Sequence, residues 1–183
     1  MNIRDWFVSR YLPCTEKDRD NARKLLAEAR RQALTGAAPL CARHPALRPL
    51  ADGPLKETYH YHYTVAFAVM AMLGANMYFP EPRRRPTTEA IKAELENWRR
   101  DSYANDAHHL FSKLNVTSAS AEAIVGGWVV EQVARQAGSD AETGKLRELK
   151  KDEAMLTALG SHILTQAAES VVTFCLEDKK KNK

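Results

Sequence analysis

The chain has 183 residues, 44% of them hydrophobic and 27% charged, proportions that fit a folded globular protein and exclude a disordered or collagen-like one. Lysine and arginine outnumber aspartate and glutamate by 27 to 23, a net charge of +4 that admits a polyanionic partner without requiring one. Cys14, Cys41 and Cys175 are the only cysteines; their wide spacing and odd number speak against a disulfide framework or a zinc site and point to a reducing, cytoplasmic setting.

In chain order, residues 2–12 predict a short amphipathic helix, with Ile3, Trp6, Phe7 and Tyr11 at helical spacing. Asp5 and Arg10 interrupt its apolar residues, unlike the continuous apolar stretch of a signal peptide. Pro13 ends this element, and Thr15 is placed to cap a helix over about residues 16–35 that Gly36 closes. On that helix Ala22, Leu25, Leu26, Ala29 and Ala33 share one face. Arg19, Arg23 and Arg30 form a stripe along its border, with Lys24 and Arg31 further round. From Ala37 to Leu55, four prolines (Pro39, Pro45, Pro49 and Pro54) forbid a continuous helix. Leu40, Leu47 and Leu50 in the same stretch predict an ordered loop packed on the core.

Residues 56–73, KETYHYHYTVAFAVMAML, are the most apolar segment. Apolar on every side, they predict a central buried helix. The stretch YHYHYTVAF also has strand composition, but no partner strand is evident elsewhere and the helix is favoured. Its apolar run, Val65 to Leu73, is about half of the roughly 20 residues that a membrane span needs. Residues 74–87 predict a second break, with prolines around Arg83, Arg84 and Arg85. Helices are then expected over about 88–100 and 104–114. Ser118 is the expected cap of a helix reaching Gln136, with Ile124, Trp128, Val129 and Val133 inward. A last helical stretch over about 145–177 is open to interruption at Lys150-Lys151. The fold class is therefore all-α. The helices form one bundle or two small ones: residues 1–74, then a Pro/Arg-rich connection over 75–87, then 88–178, with a disordered basic tail over 179–183.

Chemical motifs are sparse. His60 and His62 are two apart, on a strand a shared face but on a helix nearly opposite ones, whereas helical metal pairs need ligands three or four positions apart. His108 and His109 are adjacent, with Asp106 nearby. Cys41 and His44 lie close together in the proline-rich stretch without an obvious orienting carboxylate. No nucleophile elbow, phosphate-binding glycine loop or zinc-protease helix is present. Neither a metal, a cofactor nor a catalytic residue is assigned. Gly126-Gly127 falls mid-helix, where glycine costs about 1 kcal/mol against alanine, and predicts a close helix–helix approach. The basic clusters carry more information: Arg30-Arg31 with the nearby Arg23, Arg83-Arg84-Arg85, Arg99-Arg100, and Lys150-Lys151. Arginine suits phosphate because its planar fork donates paired, charge-assisted hydrogen bonds. Arg83–Arg85, read as a loop beside Tyr78 and Phe79, would track a phosphate backbone while an aromatic stacks on a base. The nearby Glu81, Glu89, Glu94 and Glu96 equally fit an internal salt-bridge cluster.

The order of segments ARKLLAEARR (22–31), HPALRPL (44–50), ETYHYHYTVAFAVMAML (57–73), HLFSKL (109–114) and SAEAIVGGWVVEQVARQ (120–136) resembles the small helical subunit of type I-E CRISPR surveillance complexes, the CasB family. The resemblance is one of layout over residues 20–136. It departs at His109-Leu110-Phe111, where the family often has an Arg-Phe pair, and in 145–177, which lack an aromatic-rich C-terminal bundle. It implies a non-catalytic protein that assembles along a ribonucleoprotein and supports RNA and displaced single-stranded DNA through basic residues. The expected function is thus a helical subunit of a nucleic-acid-containing assembly, with Arg23, Arg30, Arg31, Arg83, Arg84, Arg85, Arg99 and Arg100 on the backbone. Other protein subunits, including further copies of itself, would be its partners, with no membrane. The alternatives are a protein-interaction module such as an immunity, adaptor or inhibitor protein, and a metal-dependent helical enzyme built on the histidines.

Overall fold

A computed structural model describes residues 14–48, 50, 53–98, 103–137 and 149–181, with the backbone alone at 37–38, 46 and 175–181. The expected N-terminal helix over 2–12, and Arg99 and Arg100, lie outside the described residues. Among those residues the protein is all-α. Helix α1 spans Glu16–Thr35, α2 Ala37–Arg43, α3 Lys56–Tyr78, α4 Glu81–Trp98, α5 Tyr103–Val116, α6 Ala121–Gln136 and α7 Glu153–Lys181, with a 3-10 turn at Pro45–Leu47.

Local chemistry sets most of the boundaries. Thr15 caps α1 through a capping box: its Oγ1 accepts from the Asp18 N–H at 3.3 Å, and the Asp18 carboxylate accepts from the Thr15 N–H at 2.9 Å. Ser120, two residues later than expected, caps α6 by accepting the Ala123 N–H at 3.2 Å. Between α6 and α7 the chain turns at Lys150-Lys151, and Asp152 accepts the Met155 N–H at 2.9 Å.

Three expectations are corrected. The break foreseen over 74–87 shrinks to Phe79 and Pro80, because α3 continues to Tyr78 and α4 begins at Glu81. Pro82 lies in the first turn of α4, where the missing N–H would have had no helical partner, and only Pro86 removes an interior bond. Part of the proline-rich stretch is helical too, since Pro39 falls in the first turn of α2. The tail expected at 179–183 is helical through Lys181.

Helix α3 is the centre of the molecule. Tyr63, Val65, Ala66, Phe67, Ala68, Val69 and Ala71 are fully buried, and α1, α4, α5, α6 and α7 all pack on it. Helix α4 runs alongside α1 in the same direction, with Arg83 against Asp18 near the start and Trp98 beneath Arg30 near the end. Helix α7 runs against α1, joined by the Gln32–Gln166 hydrogen bond of 2.6 Å. Leu25, Tyr63, Ile91, Leu95, Trp128 and Ile163 belong to one continuous core, so helices on both sides of the α3–α4 turn share it. Leu40, Leu47 and Leu50 are buried in that core as expected. No helix among the described residues is long and apolar enough to cross a membrane.

Candidate nucleic-acid interface

The structure gives each predicted arginine among the described residues, Arg23, Arg30, Arg31 and Arg83–Arg85, its own environment. Arg23 meets Asp20 at 2.7 Å, Glu16 at 3.3 Å and, across the helix pair, Glu94 at 3.3 Å. Arg31 forms a two-pronged pair with Glu28, its Nε donating at 2.7 Å. That contact holds the Glu28 carboxyl below the usual carboxylate range; partial burial opposes it and the Gln32 amide assists. Arg30 donates from Nε to the Leu26 carbonyl at 3.2 Å and lies over the Trp98 ring, 5.9 Å from its centroid.

The Arg83–Arg85 cluster is helical, in the first turns of α4. Arg83 donates to Asp18 at 2.6 and 3.4 Å, and the Asp18 side chain is 1% exposed. The carboxylate that closes the α1 capping box therefore also anchors α4. Arg84 donates from Nε to the Phe79 carbonyl at 2.9 Å, covering an acceptor at the end of α3. Arg85 is exposed. Along α1, Asp18 and Arg31 are about 20 Å apart at 1.5 Å per residue, so the two clusters do not form one patch.

Other cations answer better to the chemistry sought. Arg43 ends α2, Arg48 follows the 3-10 turn, and Lys56 begins α3. All three side chains are exposed, and among the described residues no carboxylate pairs with them. A signal was present in the sequence: between Thr35 and Lys56 the one acidic residue is Asp52. Unlike the arginine doublets, these cations stand singly in the sequence. An open groove of about 490 Å³ between α1 and α7, lined by Lys24, Glu28, Arg31, Gln32, Gln166 and Glu169, mixes both signs.

The histidines are separated by the helix they occupy. His60 is half-buried and His62 is fully buried, which closes the route to metal that a strand would have opened. Among the described residues no group of three or more His, Cys, Asp or Glu side chains is placed to hold a metal ion. Cys41 is buried in α2 and His44 caps the end of that helix. His109 joins a polar cluster with Trp128 and Gln132, and Tyr61 donates to Asp106 at 2.9 Å. Comparison with protein-family models, curated proteins and solved structures finds no match to this chain.

Proposed function

We propose that the chain is a non-catalytic helical subunit of a nucleic-acid-containing assembly, similar in role to the small subunit of type I-E CRISPR surveillance complexes. Its contact with the backbone of RNA or single-stranded DNA runs through Arg43, Arg48 and Lys56. The observation that supports this reading is the contrast between two sets of cations. Arg23, Arg31 and Arg83 spend their charge on Glu16, Asp20, Glu28, Glu94 and Asp18. Arg43, Arg48 and Lys56 are exposed and meet no carboxylate among the described residues. A phosphate entering that surface displaces only water and counterions, whereas at Arg83 it would have to compete with a buried aspartate.

The test is retention of RNA and single-stranded DNA oligonucleotides by purified protein as salt is raised. It compares the wild type with the triple variant Arg43→Ala/Lys56→Ala/Arg48→Ala. Salt-sensitive binding lost in the triple variant supports the reading; absence of salt-sensitive binding by the wild type ends it. The internal pairing of Arg23, Arg31 and Arg83 also favours a second reading, a protein-interaction module without nucleic-acid affinity. On that reading a tagged chain keeps its partner through nuclease treatment and shows background retention of either oligonucleotide.

A further inference from the structure

Two imidazoles, His109 of α5 and His62 of α3, each contact Trp128 of α6. On α5, the His109 Nδ1 lies 3.2 Å from the indole Nε1 of Trp128 and 3.1 Å from the amide Nε2 of Gln132, both on α6. An indole N–H can only donate. Nδ1 therefore carries its lone pair, and the ring proton of neutral His109 resides on Nε2. The same tryptophan packs edge-on against His62 of α3, with ring centroids 5.5 Å apart at 83°. His62 also meets the neighbouring Tyr61 ring edge-on at 4.8 Å. It is fully buried, and among the described residues neither of its nitrogens has a hydrogen-bond partner.

The charged groups around this junction are already engaged with one another. From α5, Asp106 accepts the Tyr61 hydroxyl of α3 at 2.9 Å. Lys113 of α5 pairs with Glu131 of α6 at 2.6 Å, and Arg135 meets the other oxygen of that carboxylate at 2.6 Å. On the side of α4 the junction is closed by Trp98, stacked on Tyr61 at 5.7 Å. No carboxylate among these bonds to either imidazole.

We propose that α5 is held to α3 and α6 by an acid-sensitive latch, His109 and His62 bridged by Trp128, which requires both rings to be neutral and which mild acid opens. A proton on His109 Nδ1 turns the acceptor into a donor facing the indole N–H, so the Trp128 contact is lost. A proton on His62 places a charge on a fully buried ring that none of these carboxylates bonds. Consistent with that geometry, burial lowers the His62 pKa to about 4, against the opposing pull of Asp106 and Gln136. The sign follows: the ring takes up a proton more readily in the open state, so acid populates it. The device is independent of any nucleic-acid contact.

Amide hydrogen exchange on the full chain at pH 7.5 and pH 5.0, corrected for intrinsic rates, tests the latch. The wild type should lose protection over 103–116 at least tenfold more than over α1 and α4. His62→Phe/His109→Asn, which keeps an aromatic ring at one site and an acceptor at the other without a titrating group, should show no such selective loss. A parallel loss in all helices, or the same selective loss in the double variant, overturns the proposal. Should that variant fail to fold, imidazole ¹⁵N shifts of the wild type at pH 7.5 decide. A neutral His109 with its proton on Nε2 is expected; a charged ring or the Nδ1–H tautomer overturns the latch.

Discussion

Gly126 of α6 and Gly160 of α7 hold their two helices at backbone contact: a methyl on Gly126 would overlap the Leu156 carbonyl, and one on Gly160 the Glu122 carbonyl. The two helices run in opposite directions here and rest main chain on main chain, a separation that only glycine permits. Gly126→Ala and Gly160→Ala should each destabilise the protein by about 3 kcal/mol, since the helices must part to admit the methyl. The loss comes in spite of a helix-propensity gain of about 1 kcal/mol. At Gly127 an added methyl meets only Leu156 Cδ1, at 3.8 Å. Gly127→Ala should therefore be neutral or stabilising by up to about 1 kcal/mol. Urea unfolding midpoints of the three variants check this ordering, and a Gly160→Ala chain as stable as wild type would contradict it.

The Asp18–Arg83 pair joins a helix cap to a neighbouring helix. Asp18 accepts from Thr15 on its own helix and from Arg83 across the α1–α4 contact, and its side chain is 1% exposed. Removing Arg83 strands a buried carboxylate. Arg83→Met should cost about 3 kcal/mol, within the range for breaking a buried pair. Arg83→Met/Asp18→Asn should recover part of that loss, because the neutral amide still caps α1 and leaves no buried charge. Thermal unfolding of the two single variants and the double variant gives the coupling. A double variant no better than Arg83→Met alone would show that the pair is not what Arg83 contributes.

The two glycines and the two charged residues also show which part of the structure was legible beforehand. Gly126 sits in a strongly helical pattern and signalled a close approach. Its counterpart Gly160 lies on a helix whose position against α6 no local pattern encodes. The Thr15–Asp18 cap is a short-range motif, and Arg31–Glu28 is an i, i+3 pair; both follow from spacing alone. Arg83 finds Asp18 across 65 residues, so its fate as a structural ion pair depends on topology. Arg83–Arg85 have the proline density of a loop, with Pro80, Pro82 and Pro86 around them. Pro82 is compatible with a helix start, and the apolar spacing of Ala90, Ile91 and Leu95 already belonged to the same helix.

Tyr63 supplies a stability prediction of the opposite sign. It is fully buried on α3, packs on Tyr59 and Phe67, and its hydroxyl has no hydrogen-bond partner among the described residues. Burial, with Tyr59 and Glu28 acting in the same direction, raises its pKa, so the hydroxyl is a neutral, unsatisfied polar group. Tyr63→Phe removes the group and keeps the ring. Stability should rise by about 1 kcal/mol, the usual penalty for an unsatisfied buried polar atom. A loss of similar size on denaturant titration would mean that the hydroxyl is satisfied in solution.

The surface set by Arg43, Arg48 and Lys56 makes a prediction in which the magnitude discriminates. Three cations that neutralise three phosphates of a single strand give a salt slope of about −2, so affinity should fall about 20-fold between 50 and 200 mM salt. Arg48→Ala alone should reduce that slope by about 0.7, at little cost in stability for an exposed side chain. Arg31→Ala should leave the slope unchanged, because its guanidinium is paired with Glu28 whether or not a strand is present. The reverse pattern, with Arg31 altering the slope and Arg48 not, would move the interface toward the C-terminal end of α1. There a phosphate would have to displace the Glu28 carboxylate, and binding would strengthen as pH falls far enough to protonate it, a pH below the usual carboxylate range because Arg31 holds that proton off. Fluorescence anisotropy with a labelled oligonucleotide at two pH values separates the two surfaces.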